Sequence, residues 1–211
     1  MIATLFSGGK DSTLALHRMA AKGKRAELLI TMISENDFSY MFHKPNIMQT
    51  KLQAEALGIR QIFANTQGKK EEELEDLEDA FVENGVTELI TGAVASTYQK
   101  DRIEAICKRL GIECHSPLWR IDPMEELAEL SRDYNVIVTQ VAAEGFDSSY
   151  LGQRIDAEMI EKLVRSTRNI GRICCSRAER QSRSCSTRPC SERGSRWGKA
   201  TRRRRELSKG T

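Results

Sequence analysis

The chain has 211 residues, of which 39% are hydrophobic and 30% are charged. This length is sufficient to bury the core of one α/β domain with a smaller second lobe. No apolar run approaches the roughly 20 residues that a membrane helix needs, and the first residues lack a basic region followed by a cleavage site. The composition therefore argues against a membrane or exported protein and predicts a cytoplasmic one.

The net charge of +3 conceals a division of the chain near residue 169. Residues 1–168 carry 20 basic and 27 acidic side chains, whereas residues 169–211 carry 13 basic and 3 acidic ones. The basic balance belongs to the tail, so we expect the acidic body not to bind nucleic acid. The body contains two cysteines, Cys107 and Cys114, whose spacing matches no zinc motif, and we interpret them as buried apolar residues.

The first predicted strand, Ile2 to Phe6, leads into Ser7-Gly8-Gly9-Lys10-Asp11-Ser12 and then into a predicted helix. A strand, a glycine turn and a helix start together form an anion site, because backbone N–H groups and the positive helix end face the turn. The spacing is neither that of the Walker A loop nor that of the Rossmann fingerprint. The alternative is a tight turn in which Asp11 caps the helix.

These six residues resemble the PP-loop of the N-type ATP pyrophosphatases, S-G-G-x-D-S, which split ATP between its α and β phosphates. The resemblance implies that the backbone amides of Gly8, Gly9 and Lys10 bind phosphate oxygens. It assigns the same role to the hydroxyls of Ser7 and Ser12 and to the Lys10 ammonium, whereas Asp11 helps to hold Mg²⁺. Lys10 and Asp11 are accordingly the predicted catalytic residues of the loop.

Apolar runs of strand length alternate with helical patterns along the body, which predicts a doubly wound parallel sheet of the HUP type. The predicted strands are Ile2–Phe6, Ala26–Ile33, Gln61–Ala64, Glu88–Thr91, Glu113–His115 and Val136–Ala142. The predicted helices are Ser12–Ala21, Asn46–Leu57, Lys70–Asn84, Thr97–Leu110, Pro123–Tyr134 and Asp156–Val164. We predict an ATP-binding domain at 1–134, the start of a substrate lobe at 135–168 and a disordered tail at 169–211.

Ligands of such a fold collect at the carboxyl ends of the strands. The stretch from Gly92 and Ala93 to Tyr98 and Gln99 follows the fourth predicted strand, and its small residues permit close approach of a ligand. Arg102, one turn further on, is suited to bind a carboxylate or phosphate bidentately. The alternative is an ordinary strand-to-helix junction, in which Ser96 caps the helix and Arg102 lies on a solvated face.

Two loops complete the predicted site. His43 lies beside aromatic residues in the sequence, beyond the second predicted strand. Two interpretations of His43 stay open: adenine recognition and a purely structural role. Residues 144–152, which include Glu144, Ser148 and Gly152, follow the sixth predicted strand and have the composition of a substrate loop. A surface turn in which Ser148 or Ser149 caps a short helical turn is the alternative.

Five segments in chain order resemble the diphthine–ammonia ligases of archaea and eukaryotes: Ser7–Ser12, Tyr40–His43, Thr91–Arg102, Cys114–Trp119 and Glu144–Gly152. The resemblance extends to about Ile160. It implies amidation of diphthine on elongation factor 2 with ammonia and ATP, through an acyl adenylate, with release of AMP and pyrophosphate. It also implies that Gly92–Gln99 and Arg102 face nucleotide or substrate and that residues 144–152 face diphthine; a homodimer is compatible with it.

Members of that family continue with a segment resembling E-G-G-E-x-E-T-L-V-L-D-A-P-L-F, which this chain lacks. Back-translating Ser176–Glu192 with permitted codons and reading from the third base gives EGGEAESLVLDAPLFR. We hypothesise that the reading frame shifts between about residues 166 and 176, which would truncate the substrate lobe. The rival interpretation is a genuine arginine-rich arm that binds nucleic acid.

Two other functions remain open on the same fold. One is a PP-loop enzyme that adenylates a tRNA base, although such thiolating enzymes use catalytic cysteines or an added RNA-binding domain. The other is a nucleotide-binding module without catalysis, for which Lys10 and Asp11 are not needed.

Overall fold

The computed structural model describes residues 1–34, 47–67, 72–141 and 147–170. The chain divides into two compact units between Ile121 and Asp122. Within the described ranges, no helix combines the length and the apolar character that crossing a bilayer requires.

The first unit is built on five parallel strands, β1 (Ile2–Leu5), β2 (Leu28–Ser34), β3 (Arg60–Thr66), β4 (Glu88–Ile90) and β5 (Glu113–His115). Their order in the sheet is β3-β2-β1-β4-β5. The chain winds outward from β1 in one direction and then resumes at β4 on the other side. The switch point between β1 and β4 is where such a sheet opens a crevice at its carboxyl edge, and the predicted fold class is confirmed.

Helices cover both faces of this sheet. The first unit contains α1 (Lys10–Ala21), α2 (Thr50–Leu57), α3 (Glu72–Glu83) and α4 (Thr97–Leu110), with a 3-10 turn at Ile47–Gln49 before α2. The second unit contains α5 (Pro123–Asp133), a 3-10 turn at Ser148–Tyr150 and α6 (Ala157–Ile170). Because side chains alternate along a strand, β2 supplies buried residues to both faces of the sheet.

Two apolar clusters result. Leu28 and Ile30 of β2 pack with Leu77 and Phe81 of α3 and with the buried face of α4. On the opposite face, Leu29 of β2 joins a smaller cluster with residues of α1 and α2. Cys107 is buried and Cys114 is half-buried, and both contact the larger cluster, as expected for small apolar residues.

One predicted strand is wrong. Instead of a strand from Val136, the second unit has an isolated antiparallel bridge between Ile137 and Arg154 within the described part of this segment. Backbone hydrogen bonds join Val136 and Val138 to residues 152–155, so this stretch pairs with a local turn and does not extend the parallel sheet. Residue 142, the end of the predicted strand, lies outside the described residues.

Helix ends also differ from the prediction. The second helix is split into a 3-10 turn and α2, and α6 continues to Ile170, six residues beyond the predicted end. The α4 and β5 boundaries agree with the prediction.

A cluster of polar and charged side chains joins β4 to β5 and to the turn after α1. The Lys24 ammonium lies 2.5 Å from Glu88 Oε2 and 3.5 Å from Glu113 Oε2. His115 Nε2 lies 2.9 Å from the same Glu88 oxygen. Glu88 therefore links the turn after α1 to two neighbouring strands.

Acidification should remove the contribution of Glu88 to stability. The hydrogen bond from Lys24, and then that from His115, lowers the pKa of Glu88 below its ordinary value of 4.5. Such a carboxyl stabilises the fold above that value and ceases to do so as the pH falls through its folded-state pKa. In urea unfolding, we expect Glu88→Gln to be less stable than wild type at neutral pH, with the difference closing below pH 4.5.

The control is Glu55→Gln, at an exposed position of α2. It should leave the pH dependence of unfolding unchanged. A difference between wild type and Glu88→Gln that persists at acid pH would contradict the assignment.

Candidate functional site

The glycine turn after β1 leads directly into α1. Gly9 is the N-cap of this helix and makes no side-chain cap hydrogen bond, whereas Asp11 lies inside the first turn. The alternative in which Asp11 caps the helix is therefore wrong. The backbone N–H groups of Lys10, Asp11 and Ser12 lie in the first turn, where no intrahelical acceptor exists, so this end of the helix can bind an anion.

The two serines of the loop hold it in a closed shape. The Ser7 N–H donates to Ser12 Oγ at 3.3 Å, and the Ser12 hydroxyl donates to Gly9 O at 3.1 Å. The two hydroxyl oxygens lie 3.3 Å apart. Both hydroxyls thus lie side by side in the loop.

Gly8 has the backbone conformation that a side chain disfavours, with φ of 67°. A Cβ at this position would lie 2.3 Å from Gln53 Oε1 and 2.8 Å from Thr50 Cγ2, both of α2. The Gln53 amide donates to Gly8 O at 3.1 Å. Glycine is required here both for the turn and for the close packing of α2.

Charge at the start of α1 is paired within the loop. The Lys10 ammonium is hydrogen-bonded to Asp11 Oδ1. The two side chains are 35% and 41% exposed, so both remain accessible to a ligand. A cation and a carboxylate side by side can bind a polyphosphate and its divalent metal together.

Gly92 is required by packing against the loop. A Cβ at Gly92 would lie 2.7 Å from Ser12 N and 2.9 Å from the carbonyl carbon of Asp11. The sequence predicts that a ligand approaches closely at Gly92. In the structure, the backbone of the first turn of α1 lies against this glycine. Gly92 therefore sets how near the loop after β4 lies to the phosphate-binding turn.

A cavity of about 160 Å³ opens between these loops. Its lining includes six predicted site residues: Ser7, Asp11, Ser12, Gly92, Ala93 and Gln99. Its apolar wall comes mainly from the ends of β1 and β2, from Ile47 before α2 and from Ile103 of α4. The cavity thus combines an anion-binding side with a surface on which a planar apolar group can lie.

The start of α4 borders this cavity. Ser96 accepts a hydrogen bond from Gln99 N at 3.3 Å and is the N-cap, as the sequence suggests. The Arg102 guanidinium lies 3.6 Å from the centroid of the Tyr98 ring. The predicted residues Tyr98 and Arg102 therefore contact each other.

Two predicted residues belong to the second unit and two lie outside the described residues. Ser148 starts the 3-10 turn and Gly152 follows it with φ of 76°. The cap of that turn is Asp147, not either serine, because its carboxylate accepts from Ser149 N at 2.8 Å. The hydrogen bonds from Ser149 lower the pKa of Asp147. His43 and Glu144 are the two residues that lie outside the described ranges.

The described residues include one group with metal-ligand spacing, Glu88, Glu113 and His115, whose ligand atoms lie within 4.8 Å of one another. In this group, Glu88 and Glu113 are the first residues of β4 and β5 and His115 is the last residue of β5, and none of the three lines the cavity. The Lys24 ammonium already bonds to two of its members. It is therefore not part of the cavity that Asp11 lines.

Sequence reasoning missed the residues that support the loop from behind. They are Thr31 of β2, Gln61 of β3 and Thr50 and Gln53 of α2, which are joined by hydrogen bonds to one another or to backbone around the loop. Threonine and glutamine are common polar residues without a distinctive motif. Only their proximity in the fold identifies them.

Comparison with known families accounts for both units. The diphthamide synthase N-terminal domain matches residues 1–114, and the diphthamide synthase C-terminal domain matches residues 122–179. A solved structure described as a "predicted subunit of tRNA methyltransferase" from Methanocaldococcus jannaschii is 17% identical, with a TM-score of 0.44, and the match covers 82% of this chain and 89% of that one. A likeness at that level does not bear on function.

Curated relatives are named diphthine–ammonia ligase. The human protein is 29% identical over 198 residues, which cover 82% of this chain and 74% of that protein. The Schizosaccharomyces pombe protein is 31% identical over 181 residues, covering 76% of this chain and 30% of that protein. With both of its domains matched in order and the larger match extending over more than half of its length, the chain belongs to the diphthamide synthase family.

Proposed function

We propose that this protein is an ATP-dependent ligase that amidates diphthine on elongation factor 2 with ammonia, releasing AMP and pyrophosphate. The observation that carries the proposal is the S-G-G-K-D-S loop at the switch point of the sheet, beside a cavity with one polar and one apolar wall. Membership of the diphthamide synthase family and the names of the relatives support the substrate.

The donor groups of the loop fit a nucleotide polyphosphate. The amides of Gly8, Gly9 and Lys10, the paired hydroxyls of Ser7 and Ser12 and the Lys10 ammonium would bind its oxygens. Asp11 would hold Mg²⁺, which neutralises phosphate charge when it is bound. The apolar wall of the cavity suits the adenine ring, and we assign His43 to the same nucleotide site.

The reaction needs activation because a carboxylate oxygen is a poor leaving group. One carboxylate oxygen of diphthine attacks the α-phosphorus of ATP, the bond to the bridging oxygen breaks, and pyrophosphate leaves. Ammonia then attacks the acyl carbon, the carbon–oxygen bond to AMP breaks, and the excess proton of the nitrogen passes to solvent. The protein contributes charge stabilisation and alignment, and no side-chain nucleophile is needed.

The remaining predicted residues are assigned to substrate. Arg102, stacked on Tyr98 at the start of α4, is suited to bind the substrate carboxylate or a phosphate oxygen. Gln99 lines the cavity. We assign Glu144, Ser148 and Gly152 to the diphthine side on the basis of the family resemblance.

Product analysis tests this function directly. Incubation with ATP, ammonium and elongation factor 2 carrying diphthine should yield AMP and shift the mass of the factor by the exchange of a hydroxyl for an amine. Formation of ADP would contradict the PP-loop mechanism, and AMP without a change in the factor would contradict the substrate. Lys10→Met, which removes the loop ammonium, is the control and should lower AMP formation.

The glycine after β4 provides a second test. Gly92→Ala should weaken ATP binding about tenfold or more, because overpacking of this size costs about 1–3 kcal/mol and must displace the backbone at Asp11 and Ser12. Gly111→Ala is the matched control. Gly111 is the left-handed C-cap of α4, and a Cβ added there would meet open space. Gly111→Ala should lose stability but retain ATP affinity, and equal ATP affinities of the two variants would contradict the packing argument.

We propose further that the chain from about residue 169 is translated out of frame. The support is the reading of Ser176–Glu192 from the third base of back-translated codons, which gives the segment typical of the family. Resequencing the locus should reveal an insertion or deletion between the codons of about residues 166 and 176. An intact frame in independent clones would overturn the proposal, and a restored frame should encode E-G-G-E-A-E-S-L-V-L-D-A-P-L-F.

A further inference from the structure

A set of hydrogen bonds runs from β3 to the phosphate-binding loop through side chains that are not part of the loop. Gln61 Nε2 donates to Thr31 Oγ1 and to Thr50 Oγ1, in each case at 2.8 Å. Thr31 is fully buried and Thr50 is 2% exposed. The two hydroxyls that accept these bonds are therefore buried, where a missing partner is costly.

The direction of the bonds is fixed by the two threonines. The Thr31 hydroxyl donates its one proton to Phe6 O at 2.7 Å, and the Thr50 hydroxyl donates its proton to Ile47 O at 2.6 Å. Each hydroxyl must then accept from residue 61. A single nitrogen can serve both hydroxyls because the amide of Gln61 carries two N–H donors on Nε2.

The two branches end at different parts of the loop. Phe6 is the residue that precedes Ser7, so the Thr31 branch fixes the backbone where the loop begins. Ile47 opens the 3-10 turn that leads into α2, so the Thr50 branch fixes the start of that helix. From α2, Gln53 donates to Gly8 O.

We propose that Gln61 is a positioning residue of the phosphate-binding loop, acting on its entry through Thr31 and on Gly8 through Thr50, α2 and Gln53. This inference rests on the proposed function, because ATP is the ligand that the loop binds. A loop held in its binding shape before the nucleotide arrives loses less conformational entropy on binding. The contribution of Gln61 should therefore appear in ATP affinity.

A double-mutant cycle on ATP affinity tests the proposal. The variants are Gln61→Met, which removes both donors, Gln53→Ala, and the two together, with dissociation constants for ATP and Mg²⁺ measured by calorimetry. We expect each single variant to bind ATP about tenfold more weakly and the double variant to be little worse than either, since residues on one path are not additive. Additive losses would overturn the proposal.

Two further variants separate positioning from general stability. Arg60→Met is the matched control, because it also introduces methionine on β3 and removes an exposed hydrogen bond to Asn84. Its ATP affinity should equal that of wild type. Thr50→Val removes one branch without changing side-chain shape and should also weaken ATP binding, which keeps the test valid where Gln61→Met fails to fold.

The outcomes distinguish this inference from the proposed function. Wild-type protein that does not bind ATP would contradict the proposed function and, with it, the role of Gln61. Wild-type protein that binds ATP, together with Gln61→Met or Thr50→Val variants that bind it equally well, would overturn the positioning role alone.

Discussion

The contact between Gly92 and the first turn of α1 is the constraint on which the site depends. At the switch point of the sheet, β1 and β4 are neighbours, yet their following loops come from distant parts of the chain. Because Gly92 has no side chain, its backbone lies against Asp11 and Ser12. Any larger residue would separate the two loops and open the wall of the cavity that they share.

Support from the opposite side comes from α2 and β3. Gln53 and Thr50 pack against Gly8, while Thr31 holds the carbonyl of Phe6. The loop is thus fixed by a glycine contact on the β4 side and by hydrogen bonds on the β2 and β3 side. The first-turn amides of α1 have no intrahelical acceptor, so this end of the helix can bind an anion.

Charge is distributed unequally between the two edges of the sheet. Near the start of β4, Lys24 and His115 both lie within hydrogen-bonding distance of Glu88 Oε2. At the carboxyl edge, Lys10 and Asp11 form a pair that is only partly buried and accessible to a ligand. The first group joins neighbouring strands, whereas the second lies at the start of α1 and remains open to solvent.

The sequence by itself determined the parallel α/β fold, the phosphate-binding loop and the family resemblance, because local periodicity and a short glycine motif depend on adjacent residues. The strand predicted from Val136 was wrong, because an apolar run has the same sequence pattern whether it joins a sheet or pairs with a local turn. Only the tertiary structure decided that Gly92 serves packing against α1, that Asp147 caps its turn, and that Gln53 and Gln61 support the loop. Those roles arise from contacts in the folded chain, and the sequence around a single polar residue has no pattern from which such a contact can be predicted.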